Sequence, residues 1–450
     1  MRNSGSLVCS AVAGFSLAAS ADVLFLVSNT TNQVHVMNVP QVGTPTHVTN
    51  LSDPGFVRPY GVNMRGNGDL LVNSRGPCTA CVGGGLTVMS GSGCGLSQGP
   101  GQTTTAGLRN PHGVAVLGDI AYFGDTYNGR IVRYSLAGGV PVQIGQTTAG
   151  VPVNGTRDVV IHPVLGEVFV SDCCNSNNIR RFRIEGDGSL TPIGTISGNG
   201  MNQPHGLTVL PSGELLVCNT VSPGSVSRFR FGPSGVAIAN GVISGNAMNG
   251  PVSSVVTSWG ELLVVSHMTP IVSRFVFDGG GAAAANGTFP TPTNGGDSVL
   301  AGTLPAFVPK ASQSTACVGE EVSFHLVGVS GAAFTYQWRH NGTPIDSGAN
   351  PSAATAVLTL TAGSSDEGAY DCVIDTGCGS AVTAALPLTV CKCAECAADF
   401  NEDGGIDGSD VSAFFEAWES GDCDADVNGD GGVEGSDVNT FFGQWEAGGC

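Results

Sequence analysis

Apolar and polar positions repeat along most of the chain with a fixed beat. The run Phe25-Leu26-Val27-Ser28-Asn29 is apolar until it ends in a small polar residue, and counterparts stand at 70–74, 121–125, 168–172, 215–219 and 262–266. Their end positions are separated by 45, 51, 47, 47 and 47 residues. A second apolar-rich strand follows each after a turn, at 34–39, 86–89, 130–134, 179–184, 226–231 and 272–277. A shorter strand precedes most of them. It opens with Pro59-Tyr60-Gly61-Val62, Pro111-His112-Gly113-Val114, Thr156-Arg157-Asp158-Val159 and Pro204-His205-Gly206-Leu207, and weakens near Pro251. Three or four strands at a period near 47 predict one β-propeller blade per unit. No blade buries its faces alone, so a closed ring of six removes both exposed faces and open edges. The first unit lacks its leading strand, and Ser298-Val299-Leu300 is positioned to supply it and close the ring.

The pattern changes from about 309 to 391. Val322-Ser323-Phe324-His325-Leu326 alternates as a half-buried strand does, Tyr336-Gln337-Trp338 follows, and then Asp366-x-Gly368-x-Tyr370-x-Cys372. The apolar Trp and the Tyr two residues before the Cys resemble an immunoglobulin domain. The resemblance implies a β-sandwich that acts as a spacer. It also implies a sheet-bridging Cys where this chain has Leu326, so a relocated disulfide is expected for Cys372, with Cys317 and Cys378 as candidate partners.

In 394–450 the period becomes helical. Val411, Phe414, Phe415 and Trp418 fall at i, i+3, i+4 and i+7, and so do Val438, Phe441, Phe442 and Trp445, one stripe each. Ahead of each stripe stands a loop of regular oxygen-donor spacing. The first places Asp399, Asn401, Asp403, Gly405, Asp407 and Asp410 at positions 1, 3, 5, 7, 9 and 12; the second places Asp426, Asn428, Asp430, Gly432, Glu434 and Asp437. Calcium takes six to eight oxygens, position 6 is Gly for the sharp turn, and position 7 offers a carbonyl. Two calcium ions are expected. Asp rather than Glu at position 12, with Cys396, Cys423 and Cys450 at intervals of 27, resembles the GC-type dockerin. That resemblance implies a cohesin-like or other surface protein as partner, contacted through Gly408-Ser409 and Gly435-Ser436. The near-identity of these pairs implies two symmetry-related ways of docking.

The fold expected is therefore multidomain and mainly β: signal peptide 1–21, six-bladed β-propeller 22–305, immunoglobulin-like β-sandwich 309–391, and a small α-helical dockerin-like calcium module 394–450. Composition supports this. Gly is abundant (68 of 450) and only 12% of residues are charged, which suits short strands and tight turns. The net charge of −19 argues against nucleic acid as a partner. From Asp399 onward there are fourteen Asp or Glu and no Lys or Arg, an end built for cations. Arg2, the apolar stretch from Leu7 to Ala18 and Ala19-Ser20-Ala21 read as an export signal with a small-residue cleavage site, too short to span a bilayer. A secreted or cell-surface location follows. Of fifteen cysteines, setting aside Cys9 leaves an even number for an oxidising compartment. Cys173-Cys174 and Cys78-x-x-Cys81 read as loop staples, and Cys218 as a buried thiol.

The propeller repeat, with Pro-His-Gly-Val followed by a strand ending in Asp or Asn, resembles the NHL and gluconolactonase-like propellers. Tyr60, His112, Arg157 and His205 occupy one repeat position, which in this fold faces the central channel. Two neutral imidazoles, His112 and His205, are candidates to share a zinc or calcium ion with Asp158 nearby. The competing reading is structural, since a role in building each blade recurs in every unit whereas catalysis need not. Asp125, Asp172, Asn29 and Asn219 likewise read as strand-end turn residues. No acid or nucleophile has a partner at a reaction-specifying spacing. The sequence favours a binding or display propeller of unknown ligand over its alternative, a dockerin-attached lactonase, lyase or carbohydrate-active hydrolase.

Overall fold

Every residue of Leu70–Ser74, Ile120–Asp125, Glu167–Asp172, Leu215–Asn219 and Leu262–Ser266 is buried. A strand is buried on both faces only when it is covered on both, and the apolar contacts show by what. Leu24 and Leu26 pack against Val252, Leu263 and Val265, whereas Phe25 and Val27 pack against Val62, Leu70 and Val72. The alternation of the strand thus deals successive side chains to two different neighbours. The runs read as continuously apolar because both faces of each sheet are interior.

In the computed structural model, the described residues are 21–447 without 42, 66–68, 77–81, 92–97, 153–154, 175, 211, 258–259, 279–280, 293–297, 302–307, 328–334, 376–379, 392–396 and 430–431. The expected export signal, Cys9, the Cys78 and Cys81 pair, Cys378, Cys396 and Cys450 lie outside them, apart from Ala21.

Six four-stranded antiparallel sheets follow one another. Blade 1 consists of Ala21–Ser28, Gln33–Pro40 and Thr46–Leu51, with Ser298–Ala301 as its inner strand. Phe25 pairs with Leu300, so the end of the repeat region closes onto its beginning. Blades 2 to 6 begin with inner strands Pro59–Met64, Pro111–Leu117, Thr156–His162, Pro204–Val209 and Pro251–Val256. Successive inner strands touch, and Ser298–Ala301 touches both Pro251–Val256 and Pro59–Met64. The ring is a six-bladed β-propeller, with one apolar cluster in each of the six gaps between blades.

A charged lattice that the hydrophobic pattern does not reveal runs along one end of the blades. Glu214 holds Arg228 through two bonds of 2.7 and 2.8 Å, and Glu261 holds Arg274 through bonds of 2.8 and 2.6 Å. Asn240 and Asn286 donate to the same carboxylates, each at 2.6 Å. Arg181 and Glu167 make the equivalent fork in blade 4. Each pair joins the second strand of a blade to its third, and the Asn joins the fourth.

After the ring come two packed sheets, one of Pro309–Ala311, Glu321–Leu326 and Val357–Thr361, the other built on Thr335–His340, Gly368–Asp375 and Leu386–Cys391. Trp338, Phe324, Tyr370 and Leu326 fill the space between them. Val308 and Val327 are buried with Leu117, Ile120 and Leu190, so this unit rests on blades 3 and 4. The expected relocated disulfide of Cys372 does not form: Cys372 is a buried free thiol within the apolar core, as Cys218 is within the propeller. Cys317 is disulfide-bonded. Two helices, α1 (Gly408–Ser420) and α2 (Gly435–Ala447), end the described chain, and no described helix is long and apolar enough to cross a membrane.

Removing one partner of a buried pair leaves an uncompensated charge. Arg274→Met is expected to cost about 3–5 kcal/mol of unfolding free energy. Replacing both partners (Glu261→Leu with Arg274→Met) should cost far less. Urea denaturation of the two variants checks this, and equal losses would contradict it.

Candidate functional site

Five of the six inner strands carry a register irregularity where they enter the ring: between Pro59 and Gly61, His112 and Val114, Thr156 and Val159, Pro204 and Leu207, and Pro251 and Ser253. A bulge bends its strand and re-aims one side chain. The re-aimed residues include Tyr60, His112, Arg157 and His205. Glycine is needed beside His112 and His205 because the next blade comes so close. A β-carbon on Gly113 would sit 2.5 Å from Val159 N, and one on Gly206 would sit 2.5 Å from the Val252 carbonyl oxygen.

The four residues of equal repeat position meet. Tyr60 of blade 2 and His205 of blade 5 stand on opposite sides of the ring, yet their side chains are hydrogen-bonded at 2.9 Å. His205 Nδ1 donates to the Val252 carbonyl at 2.8 Å, which leaves Nε2 to accept from the Tyr60 hydroxyl. This tautomer is neutral, and burial, with Arg157 adding to it, pulls the His205 pKa down to about 3. His112 packs against Tyr60 with ring centroids 4.1 Å apart. Its Nε2 faces Asn110 Oδ1 at 3.3 Å, while Nδ1 is buried with no hydrogen-bond partner. Burial foremost, then Arg75 and Arg157, holds its pKa well below the ordinary value. Tyr60 and His205 thus bridge the channel at its mouth.

Two arginines border this bridge. Arg75 lies 3.4 Å over the Tyr60 ring, and its buried Nε has no partner. Arg157 donates to its neighbour's carbonyl, Thr156 O, at 3.1 Å and contacts Cys174 Sγ at 3.2 Å. Cys174 is bonded to Cys173, so the predicted staple is a bond between adjacent residues at the rim rather than a tie between loops. Sequence reasoning missed Arg75, which occupies no repeated position. The polar residue one place earlier, Ser74, marks the strand end that delivers it.

The shared-ion reading of the channel does not fit these donors. Both nitrogens of His205 are engaged. Asp158 faces away from the imidazole pair into the blade interface: Oδ2 accepts from Leu207 N at 2.9 Å and Oδ1 from Val159 N at 2.8 Å. Burial raises its pKa to about 7. The strand-end residues also bind backbone and neighbouring side chains. Asp125 accepts from Arg109 N at 2.6 Å and Arg130 at 2.7 Å, Asp172 accepts from Arg180 at 2.9 Å, and Asn219 donates to Ser225 and Ser227. The first of the series ends its strand at Ser28, with Asn29 already in the turn.

The two helices build a second candidate site. Phe414 and Phe441 are fully buried and stacked at 4.3 Å, and the two halves around them repeat one pattern of bonds. Asp410 accepts from Asn401 N at 3.1 Å and Asp407 N at 2.9 Å; Asp437 accepts from Asn428 N at 3.2 Å and Glu434 N at 2.8 Å. Asn401 and Asn428 donate to Ser409 and Ser436 at 2.8 and 2.9 Å. Trp418 donates to the Glu434 carbonyl at 3.0 Å and Trp445 to that of Asp407 at 3.4 Å, so each helix braces the other's loop. Asp407 also caps α1. Asp403 accepts from Gly405 N and Asp426 accepts from Gly429 N. Asp430 falls outside the described residues.

These donors fit a hard cation. Asp399 Oδ1 is buried with no partner, and the module has no Lys or Arg to neutralise its carboxylates. Among the described residues the one trio of close potential ligand atoms is Asp422, Cys423 and Asp424. It is no metal site, because Cys423 is bonded to Cys391 and offers no thiolate. Gly408, Ser409 and Gly435 are exposed and Ser436 is half-buried, all in the first turns of α1 and α2.

No family model matches the chain, and no curated protein matches it. Among solved structures, a protein from Lactobacillus plantarum is 12% identical over 63% of this chain and 99% of its own, with TM-score 0.47. The periplasmic gluconolactonase of Pseudomonas aeruginosa is 16% identical over 61% and 81%, with TM-score 0.45. An inactive virginiamycin B lyase from Staphylococcus aureus is 12% identical over 69% and 94%, with TM-score 0.37. At such values these likenesses assign no activity, and the propeller rests on its own strand pairing.

The buried imidazoles make stability depend on pH. A His whose folded pKa is depressed stays neutral in the fold while the unfolded chain takes up its proton, so stability is lost as pH falls below about 6.5. For His205 the loss runs from about 6.5 toward 3. Replacing it (His205→Gln) should flatten the slope of unfolding free energy by about 1.4 kcal/mol per pH unit across that window. Denaturant titrations between pH 6 and 4 measure it, and parallel slopes for the variant and the parent would refute the neutral assignment.

Proposed function

We propose that this chain is an exported modular binding protein. Its propeller presents a ligand site at the channel mouth, an immunoglobulin-like sandwich spaces it, and a GC-type dockerin-like module holds it through two calcium ions to a cohesin-like or other surface protein. The observation that carries the reading is the twofold repetition of the loop bonds from Asp410 and Asp437 to the backbone of their own loops, with Asp399 Oδ1 left unpaired in a module free of basic side chains. Bound calcium would supply charge neutralisation. Asp399, Asn401, Asp403, Asp410 and the Gly405 carbonyl would hold one ion, and Asp426, Asn428, Asp430, Asp437 and the Gly432 carbonyl the other. Asp407 and Glu434 would act through water.

The sandwich reading is supported by Trp338 fully buried beside Cys372 and by Tyr370, whose hydroxyl donates to the Asp366 carbonyl at 2.7 Å. That bond is the corner expected of such domains, and it persists without a sheet-bridging disulfide. The link between Cys391, in the last strand of the sandwich, and Cys423, between the two loops, fastens spacer to anchor. Exposed Gly408, Ser409 and Gly435 leave the two helix starts open to a partner, and their similarity supports docking in two orientations.

A second reading keeps the anchor and makes the propeller an enzyme: a lactonase, lyase or carbohydrate-active hydrolase. It is favoured by the meeting of Tyr60, His112 and His205, with one imidazole nitrogen buried and unpaired. Turnover of a panel of lactones and polysaccharides, lost in Tyr60→Phe, would select it over the binding reading.

Calcium titration of the full chain by calorimetry should give two ions bound. Replacing Asp399 and Asp426 together with Ala should abolish the heat while the propeller stays folded. An unchanged isotherm in the double variant would overturn the module assignment.

A further inference from the structure

The propeller's charges are largely compensated within the fold. Arg65, Arg130, Arg180, Arg181, Arg228, Arg274 and, in the sandwich, Arg339 each hold a carboxylate within 4.0 Å. Arg58, Arg75, Arg109, Arg133, Arg157 and Arg230 hold none among the described residues, and of these Arg75 and Arg157 stand beside the Tyr60–His205 pair. Among the described residues neither has a carboxylate oxygen within 4.0 Å, although the protein as a whole carries a charge of −19. Asp172, which lies within electrostatic reach of Arg157, is committed to Arg180 and Ser176. Both guanidiniums border the Tyr60–His205 bridge, and both act on the buried His112.

Two half-buried guanidiniums that repel one another across an aromatic bridge form an arrangement that a bound anion relieves. Guanidinium forks match carboxylate and phosphate oxygens, and such bonds strengthen away from water. Two further atoms are without partners there: the Arg75 Nε, a donor, and the His112 Nδ1. With His112 Nε2–H directed to Asn110, Nδ1 is an acceptor. A ligand that satisfies all of these groups brings both negative oxygens and a hydrogen-bond donor of its own.

We propose that the channel mouth, between Arg75 and Arg157 above the Tyr60–His205 bridge, binds a small organic anion that carries a carboxylate or phosphate beside an O–H or N–H donor. The inference rests on the reading of the propeller as a binding domain and names the class of its ligand. Tyr60 and His205 form the floor, since their side chains meet there across the ring. The anion oxygens lie against the two guanidiniums, and the adjacent donor meets His112 Nδ1. The Cys173–Cys174 bond holds one wall, because Cys174 Sγ touches the Arg157 guanidinium and limits its swing. Burial lowers the Arg157 pKa, with Tyr60 opposing and Arg75 adding to the fall.

The test uses the full calcium-loaded chain and three probes: lactate, methyl phosphate and propane-1,2-diol, the last being lactate without its charge. Calorimetry at probe concentrations up to about 10 mM reads affinities in the millimolar range. Lactate or methyl phosphate should bind, and the stronger of the two identifies the oxyanion. The diol should not. Arg157→Gln should weaken binding at least about tenfold, the loss of one charge-assisted contact. Arg75→Gln with Arg157→Gln should abolish it, and Arg75→Lys should retain part. Neither guanidinium holds an ion pair in the fold, so these variants should unfold with the parent, and far-ultraviolet dichroism verifies it. Binding of the diol as strong as that of lactate would overturn the anion inference while leaving a binding propeller in place. Failure of both anions to bind, or binding that survives the double Arg variant, would overturn it outright.

Discussion

At two of the points where an inner strand enters the ring, Gly113 and Gly206, the next blade stands so close that a side chain cannot fit between them. At Gly113 a β-carbon would meet the backbone nitrogen of Val159, and at Gly206 the carbonyl of Val252, both at 2.5 Å. This contact sets the rest of the propeller. It seats blade 3 on blade 4 and blade 5 on blade 6, while one apolar cluster per gap seals every interface and a bulge marks each of five inner strands. The bulge turns the residue beside the glycine toward the axis, so that side chains 145 positions apart, Tyr60 and His205, come within one hydrogen bond. Ring closure and the site are consequences of the same constraint. This also reconciles the two readings of the Pro-His-Gly motif: the glycine serves the blade contact, and the histidine is what the contact delivers to the channel.

The parts of this architecture that repeat were legible in the sequence, and the parts that do not repeat were not. A period near 47 identified the blades, and Ser298-Val299-Leu300 was recognised as the closing strand because the first unit visibly lacked one. The equivalence of Tyr60, His112, Arg157 and His205 could be read directly, since they share a repeat position. Arg75 could not, because it follows its strand outside the repeated pattern and reaches Tyr60 through the pairing of the first two strands of blade 2. The Glu214–Arg228 and Glu261–Arg274 pairs were hidden for a different reason. Hydrophobic pattern ignores charge, although the recurrence of Gly-Glu-Leu-Leu with an Arg 14 or 13 residues later was a usable signal. The shared channel ion failed for want of side-chain direction: Asp158 is near in sequence to the site but points into the blade interface. Cys372 shows the limit of a family resemblance, because Leu326 fills its partner's place by packing alone and leaves the thiol free.

The carboxy-terminal module obeys another economy. Its apolar core is small, centred on the stacked Phe414 and Phe441, and its carboxylates have no cationic side chain to oppose them. The loops bind their own backbone amides in the same way twice, and each helix's Trp closes the other's loop. On the proposed reading, a bound divalent cation would meet that charge and so contribute to the module's folding. The Cys391–Cys423 bond joins the module covalently to the sandwich, and the sandwich rests on blades 3 and 4 through Val308 and Val327. Val308 and Val327 lie with Leu117 and Ile120, which flank a turn, whereas His112 stands at the other end of the inner strand of blade 3, away from the sandwich.

The claim on which all of this depends is that the backbone contact at the strand-entry glycines builds the ring. Comparing the unfolding free energies of Gly113→Ala and Gly138→Ala tests it most directly, since a β-carbon on Gly138 meets nothing within 4 Å whereas on Gly113 it meets the next blade and a φ of +61°. The account predicts a loss of at least about 2 kcal/mol for Gly113→Ala, of the size that a strained or overpacked position gives, and almost none for Gly138→Ala. Equal, small losses in both would contradict it.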